Sequence, residues 1–78
     1  MDPYIGELST FAFDWAPRGW MPCNGQVLQI SEQTALFSLI GTTYGGDGQS
    51  TFALPNITSA PGQGHVFIAL EGVYPPRD

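Results

Sequence analysis

The segment from Thr34 to Pro55 constrains the fold more than any other part of the sequence, because it combines helix, turn and strand signals within a short distance. Ser31 precedes it and is a favourable N-cap residue, with Glu32 and Gln33 in the predicted first turn. Four apolar side chains then recur at the three- and four-residue spacing of one helical stripe. They are Ala35, Leu36, Leu39 and Ile40. The sequence therefore predicts a short amphipathic helix.

Glycines end this helix and reverse the chain. Gly41 is predicted to be the left-handed residue that follows the helix. Gly45, Gly46 and Gly48 surround Asp47, and three glycines in four residues permit the positive φ angles of a tight turn. The turn leads into a short strand with apolar residues and a proline stop, namely Phe52, Leu54 and Pro55. The predicted order is helix, stop, loop and strand.

Two further strands are predicted before this segment. Tyr4–Phe13 is rich in aromatic residues and alternates imperfectly, which favours a strand. Trp20–Cys23 forms a second strand, in which Pro22 favours an edge position. Asn24-Gly25 is a strong hairpin signal, so Gln26–Ile30 is predicted to be the return strand. A two-residue loop would pair Cys23 with Gln26 and Met21 with Leu28.

The C-terminal part adds a loop, a strand and a tail. Residues 56–64 are rich in Ser, Pro and Gly and predict a loop, whereas His65–Val73 is mostly apolar and predicts a strand. Residues 74–78 contain consecutive prolines and predict a polyproline-like tail. The expected architecture is a single α+β domain over residues 1–78, with a small antiparallel sheet of four or five short strands and one short helix.

The charge balance excludes several classes of partner. Two basic side chains stand against seven acidic ones, and the net charge is −5. Nucleic acids and anionic membrane surfaces both require clustered cations, so neither is an expected partner. No apolar run has the length of a membrane-spanning helix, and the N-terminal residues show no features of a classical signal peptide. Membrane insertion and export by that route are not expected.

The small size of the chain points to self-association. A chain of 78 residues with one cysteine cannot form an internal disulfide, and it has no Cys/His metal cluster. Small domains usually need such a staple or a partner to remain folded. Only 12% of residues are charged, which gives weak protection against self-association. Oligomerisation is the remaining means of stabilisation.

The sequence contains no convincing catalytic set. His65 is the only histidine and has no acid beside it, so a structural role is favoured over acid–base catalysis. Cys23 has no neighbouring cation to activate it and is interpreted as a small buried hydrophobe. The glycine turn follows a helix and precedes a strand, the reverse of a phosphate-binding loop. Asp14 and Asp47 do not have calcium-loop spacing. Neither an enzyme nor a cofactor or metal is expected.

The two tryptophans have alternative interpretations. Trp15 and Trp20 flank a Pro-Gly turn that contains Arg18. An exposed ring beside a turn suits sugar stacking or protein docking, whereas a buried ring would anchor a very small core. The core role is favoured for Trp20, and both roles remain open for Trp15.

Three motifs resemble the phage tail collar domain family, which includes collar regions of phage tail fibres and microcystin-dependent bacterial proteins. They are APRGW at 16–20, CNGQ at 23–26 and TALFSLIGTTYGGDGQSTFALPN at 34–56. The similarity covers residues 5–56, and the closing IALEGVYPPR at 68–77 resembles the C-terminal end of longer members. The chain lacks the His-rich middle section of those members, so no metal site is carried over, and His65 does not match that section. Met21-Pro22 also replaces the more usual Ala-Leu.

The resemblance implies a structural module of a virion, a tail-like particle or an extracellular fibre. The expected partner is a further copy of the chain, in a trimer or an open filament. Strand addition through the two terminal apolar segments would make the contacts. The candidate contact residues are Tyr4, Ile5, Phe11, Phe13, Val66, Phe67, Ile68, Leu70, Val73 and Tyr74.

The alternative function is a receptor- or glycan-binding module of a tail fibre. Its candidate residues are Trp15, Arg18, Tyr44 and Asp47, with the glycine turn. The partners would then be a cell-surface glycan or other tail-fibre proteins. The remaining singled-out residues are interpreted as structural, including Trp20, Gly25 and the glycines that frame the helix and the turn.

Overall fold

The computed structural model describes residues 2–59 and 62–76, and within them it has an α+β architecture as predicted. In chain order, the elements are β1 (Leu8–Phe11), β2 (Trp20–Pro22), β3 (Val27–Gln29), α1 (Thr34–Ile40), β4 (Thr51–Ala53) and β5 (His65–Ala69), with a 3₁₀ turn at Ile30–Glu32 between β3 and α1. The strands form two small antiparallel sheets.

The larger sheet has the order β1-β5-β2, so its central strand is the last one in the sequence. Ser9 lies opposite Phe67 across the β1–β5 pair, and Met21 lies opposite Ile68 across the β2–β5 pair. Pro22 therefore belongs to an edge strand, where the missing N–H is tolerated.

The predicted hairpin at Asn24-Gly25 is wrong. β2 pairs with β5, whereas β3 pairs with β4 in the second sheet, so neither Cys23 and Gln26 nor Met21 and Leu28 are partners. The chain instead passes from one sheet to the other at this point.

Backbone conformation explains this outcome. A type I′ turn needs positive φ at both central residues, but only Gly25 has it, with φ of 79°. In a hairpin, the backbone groups on either side of the turn would bond to each other. Here they bond instead to the segment after β4. The Gly25 N–H donates to the Pro55 carbonyl at 3.2 Å, and the Ile57 N–H donates to the Cys23 carbonyl at 2.9 Å. Long-range pairing has thus replaced the local turn.

The helix starts later than the N-cap signal predicts. Ser31 lies in the 3₁₀ turn, and the N-cap of α1 is Gln33, which makes no side-chain capping bond. At the other end, Gly41 has the expected positive φ of 57°, although its ψ of −142° differs from the left-handed helical value. Its N–H donates to the Phe37 carbonyl at 2.7 Å and closes the helix.

The core lies between α1, β4 and one face of the larger sheet. Its buried members come from each of these elements and from the segment in which the chain passes from one sheet to the other. They are Cys23, Leu36, Phe52, Leu54 and Ile68. Leu39 and Ile40 of the predicted helical stripe are half-buried. Phe37 packs against Phe52 with ring centroids 5.5 Å apart, a contact that the predicted stripe omitted.

The two ends of the chain are joined by backbone hydrogen bonds. The Ile5 N–H donates to the Val73 carbonyl at 2.9 Å, and the Val73 N–H donates to the Pro3 carbonyl at 2.8 Å. Beyond β5, Tyr74 contacts α1, where its hydroxyl lies 2.6 Å from the Ser38 hydroxyl. The two terminal strands are thus shorter than predicted. Residues at their outer ends, such as Ile5 and Val73, form these hydrogen bonds between the two terminal segments. Arg77 and Asp78 of the predicted tail lie outside the described residues.

Candidate functional site

The face of the larger sheet that points away from the core carries a group of aromatic side chains. Side chains alternate between the two faces of a strand, so Phe67 points away from the face on which Ile68 joins the core. Phe67 is nevertheless 99% buried, with a relative exposure of 1%. Phe11 of β1 packs against it, with ring centroids 5.5 Å apart. The outer face is therefore covered by aromatic rings.

These rings continue outward to the protein surface. Phe11 contacts Trp20 edge to face at 5.3 Å and stacks on Phe13 at 5.1 Å, and Phe13 stacks on Trp15 at 4.5 Å. Trp20 is half-buried, whereas Trp15 is 62% exposed. We call Trp20, Phe11, Phe13 and Trp15 the aromatic row. It extends from the sheet to an exposed indole.

The row adjoins the open edge of β1. The Ala69 N–H donates to the Glu7 carbonyl at 2.9 Å, which sets the alternation of hydrogen bonds along this strand. The backbone groups of Ser9 and Phe11 then face β5, and those of Leu8 and Thr10 point away from the sheet. Among the residues that the structure describes, β1 has only β5 as a strand neighbour. An edge of this kind can pair with a strand of another chain.

The predicted contact residues occupy three different environments. Phe67 and Ile68 are buried, and Val66 and Leu70 are half-buried against the core. Ile5 and Phe11 are half-buried too. Those with large exposed fractions are Tyr4, Phe13, Val73 and Tyr74.

Strand addition through β5, the first part of the predicted His65–Val73 strand, is not compatible with this fold. Both edges of β5 are already paired, one with β1 and one with β2. A mostly apolar strand is typical of a central position with both faces covered, as well as of an interface, and the sequence pattern does not separate the two. Of the two predicted contact segments, the first is the one whose strand, β1, lies at an edge of the sheet.

Asp47 has a structural role in the glycine turn. Its Oδ1 accepts hydrogen bonds from the backbone N–H groups of Gln49, Ser50 and Thr51 at 2.9, 2.9 and 3.0 Å. These bonds favour the ionised form and hold the pKa of this carboxyl well below its usual range. The Oδ1 atom of Asp47 is thus engaged within its own loop.

Gly46 of the same turn is required for steric reasons. It has φ of 94°, and a Cβ at this position would meet the Phe52 Cα and lie 2.7 Å from the Thr51 carbonyl oxygen. Gly45 also has positive φ, and its carbonyl accepts a bond from the Ala53 N–H at 3.1 Å. The turn is thereby packed directly against β4.

Arg18 lines a cavity of about 420 Å³ at the start of β2, separate from the glycine turn. The other lining residues are Asp2, Pro3, Gly19, Trp20, Glu71 and Gly72. Trp15, Tyr44 and Asp47 are not among them, so the four predicted ligand-binding residues do not line one cavity. Sequence reasoning missed Asp2 and Glu71, because they are distant from Arg18 in the chain and no local motif joins them.

The single cysteine and the single histidine line one further cavity, of about 490 Å³, beside residues 57–59 and 62–66. This proximity was not predicted from the sequence. Burial raises the pKa of the Cys23 thiol, so the sulfur is held in the protonated form rather than as a nucleophilic thiolate. The arrangement does not provide an activated nucleophile.

Within residues 2–59 and 62–76, no group of three or more His, Cys, Asp or Glu side chains is arranged to hold a metal ion. Over the same ranges, no helix has the length and apolarity needed to cross a membrane.

Comparison with known proteins gives one match. A family model described as Phage Tail Collar Domain matches residues 6–60. No curated protein and no solved structure matched the chain. The matched stretch contains β1 to β4, α1 and the glycine turn, whereas the central strand β5 lies beyond it.

Proposed function

Because the chain belongs to the phage tail collar domain family, we propose that it is a non-enzymatic structural protein of a tail fibre that assembles with copies of itself. Family membership supports a structural role in a phage tail or a related particle. Self-assembly is the further step, and it rests on the surface formed by the β1 edge and the aromatic row.

Two adjoining surface features support this proposal, because each of them can bind a second chain. The edge of β1 offers unpaired backbone groups at Leu8 and Thr10, and the adjoining row offers exposed apolar surface at Phe13 and Trp15. Backbone pairing provides direction, and burial of aromatic surface provides most of the free energy of association. A second copy would cover both features together.

The β1 strand itself carries no charge that would oppose this contact. The chain has few charged side chains, and Leu8–Phe11 contains none. Natural edge strands are commonly protected from pairing by lysines or prolines, and β1 has neither. If the contact is isologous, the product is a closed pair, whereas a heterologous contact gives a trimeric ring or an open filament.

Edge variants test the role of β1. Thr10→Lys places a charge where a neighbouring strand would pair, and we expect the mass measured by light scattering after size exclusion to fall to that of one chain. Gln49→Lys adds the same charge to an exposed loop and serves as the matched control. Circular dichroism checks that both variants remain folded. An unchanged assembly in folded Thr10→Lys would contradict a contact through this edge.

The exposed indole of Trp15 supports a second candidate function, which is binding of a receptor or cell-surface glycan. One face of the ring is stacked on Phe13, and the residue is 62% exposed. Exposed aromatic faces suit both sugar rings and partner proteins. A glycan array with the wild type and Trp15→Ala distinguishes the candidates. Loss of glycan binding with unchanged assembly would favour the receptor-binding function, and loss of assembly alone would favour self-association.

A further inference from the structure

We propose that the cavity lined by Arg18, Trp20 and Glu71 is a binding site for an uncharged saccharide. We call it the Arg18 cavity. It lies at the start of β2, and it differs from the β1 edge and from the exposed ring of Trp15. The proposed site goes beyond self-assembly, because it assigns a ligand to a cavity that shares only Trp20 with the aromatic row.

Backbone hydrogen bonds hold the walls of the Arg18 cavity in place. The Leu70 N–H donates to the Gly19 carbonyl at 2.7 Å, which fixes the segment containing Glu71 against the start of β2. The Val73 N–H donates to the Pro3 carbonyl at 2.8 Å on the other side. A pre-formed cavity loses less conformational entropy when a ligand binds.

Gly72 lets two of these walls approach closely, and Gly19 has a backbone conformation that favours glycine. Gly72 has φ of 144°, and a Cβ at this position would collide with the Pro3 carbonyl oxygen. Gly19 has φ of 84°, and a Cβ there would lie 3.7 Å from the Glu71 Oε1. Glu71 is thereby positioned at the rim of the cavity beside the Arg18 segment.

The side chains of the cavity match the functional groups of a sugar. The carboxylates of Asp2 and Glu71 accept hydrogen bonds, and the guanidinium of Arg18 donates them. A sugar hydroxyl can do both, so each charged group can be satisfied by a neighbouring hydroxyl. Trp20 also lines the cavity, and an indole is the kind of aromatic group that packs on the C–H face of a pyranose. The Trp20 ring is held edge to face against Phe11 at 5.3 Å and 80°.

Size and charge narrow the class of ligand. A volume of about 420 Å³ lies within the usual range of small-molecule sites. Two carboxylates and one guanidinium leave the lining residues with an excess of one negative charge, which disfavours phosphate and acidic sugars. The guanidinium in turn disfavours an amine placed beside it. An uncharged ligand with both donors and acceptors fits these constraints best.

Titration with defined sugars tests the proposal on the full chain. The probes are glucose, galactose, N-acetylglucosamine and N-acetylgalactosamine, added at millimolar concentration to ¹⁵N-labelled protein. We expect at least one of them to shift the Trp20 indole, Arg18 side-chain and Glu71 amide resonances in a saturable manner. Arg18→Gln and Glu71→Gln should each weaken the apparent Kd about tenfold, the effect of losing one charged hydrogen bond.

The controls separate this site from the rest of the molecule. Glu32→Gln removes a charge from the exposed 3₁₀ turn and should leave the Kd unchanged. Inorganic phosphate and ethylamine serve as charged probes. The proposal is overturned if no sugar shifts these resonances, if only a charged probe does, or if the shifts persist in both cavity variants. Because light scattering measures assembly independently, failure here leaves the proposed self-assembly intact.

Discussion

At the residue scale, the sequence predicted which positions need special backbone conformations more accurately than which partners they have. The glycines at 25, 41, 45 and 46 all have positive φ, as their turn and cap signals indicate. Asn24 has the residue type of a hairpin turn but not its conformation, because its segment pairs with residues after β4. Local propensity is overridden where a long-range contact satisfies more backbone groups.

Gly46 provides the clearest steric prediction. Gly46→Ala would force a Cβ into the backbone of β4 and also impose left-handed strain, so we expect a loss of more than about 2 kcal/mol in the free energy of unfolding. Gly62→Ala is the matched control, since Gly62 has φ of 83° but no atom of the described residues lies within 4 Å of the added Cβ. Its free energy of unfolding should fall only by the cost of the backbone strain, about 1 kcal/mol. Urea denaturation measures both, and equal losses would contradict the packing of the turn on β4.

The Asp47 carboxylate should make stability depend on pH in the acid range. Its pKa is lowered in the folded state, so its contribution is present above its ordinary pKa and is lost as the pH falls toward the folded value. Asp47→Asn should lower the melting temperature at pH 7 and flatten the decline below about pH 4.

Asp14→Asn provides the control for this pH experiment, because it removes the same charge from an exposed turn. Thermal melts between pH 7 and pH 2 compare the three proteins. If Asp47→Asn and the wild type lose stability in parallel over the acid range, the backbone hydrogen bonds to this carboxylate do not stabilise the fold.

At the element scale, the α+β class and the helix-loop-strand order followed from the sequence, but the sheet topology did not. Alternation and turn signals are local, whereas the position of β5 between β1 and β2 depends on which segments meet in space. The same limit applies to the Arg18 cavity. Glu71 and Arg18 are brought together by the pairing of β5 with β2, which no sequence spacing reveals.

The central position of β5 makes a prediction about the segment beyond the family match. Ile68→Ala removes a side chain that is 1% exposed and contacts the core, so we expect a loss of about 3 kcal/mol in the free energy of unfolding. Val73→Ala affects an apolar residue of the same segment that is 48% exposed, and it should cost less than about 1 kcal/mol. Guanidinium denaturation distinguishes them. Similar losses would show that β5 is not the central strand.

At the scale of the whole molecule, the fold buries one core and leaves an aromatic row on the opposite face of its larger sheet. The sequence indicated that a chain of this size and charge would need a partner, but it did not identify the surface. The His65–Val73 segment was predicted to contact another copy of the chain. Its first five residues instead form the central strand of the larger sheet. The β1 edge remains open, and the exposed side chains of Phe13 and Trp15 lie in the aromatic row beside it.

The mass of the unmodified protein in solution tests self-assembly most directly. Sedimentation equilibrium over a concentration series around 10 μM gives this mass without reference to shape, and negative-stain microscopy shows whether the assembly is a ring or a filament. We expect the mass of an assembly of two or more chains of 8.4 kDa each. A folded, heat-resistant species of 8.4 kDa over the whole series would contradict it.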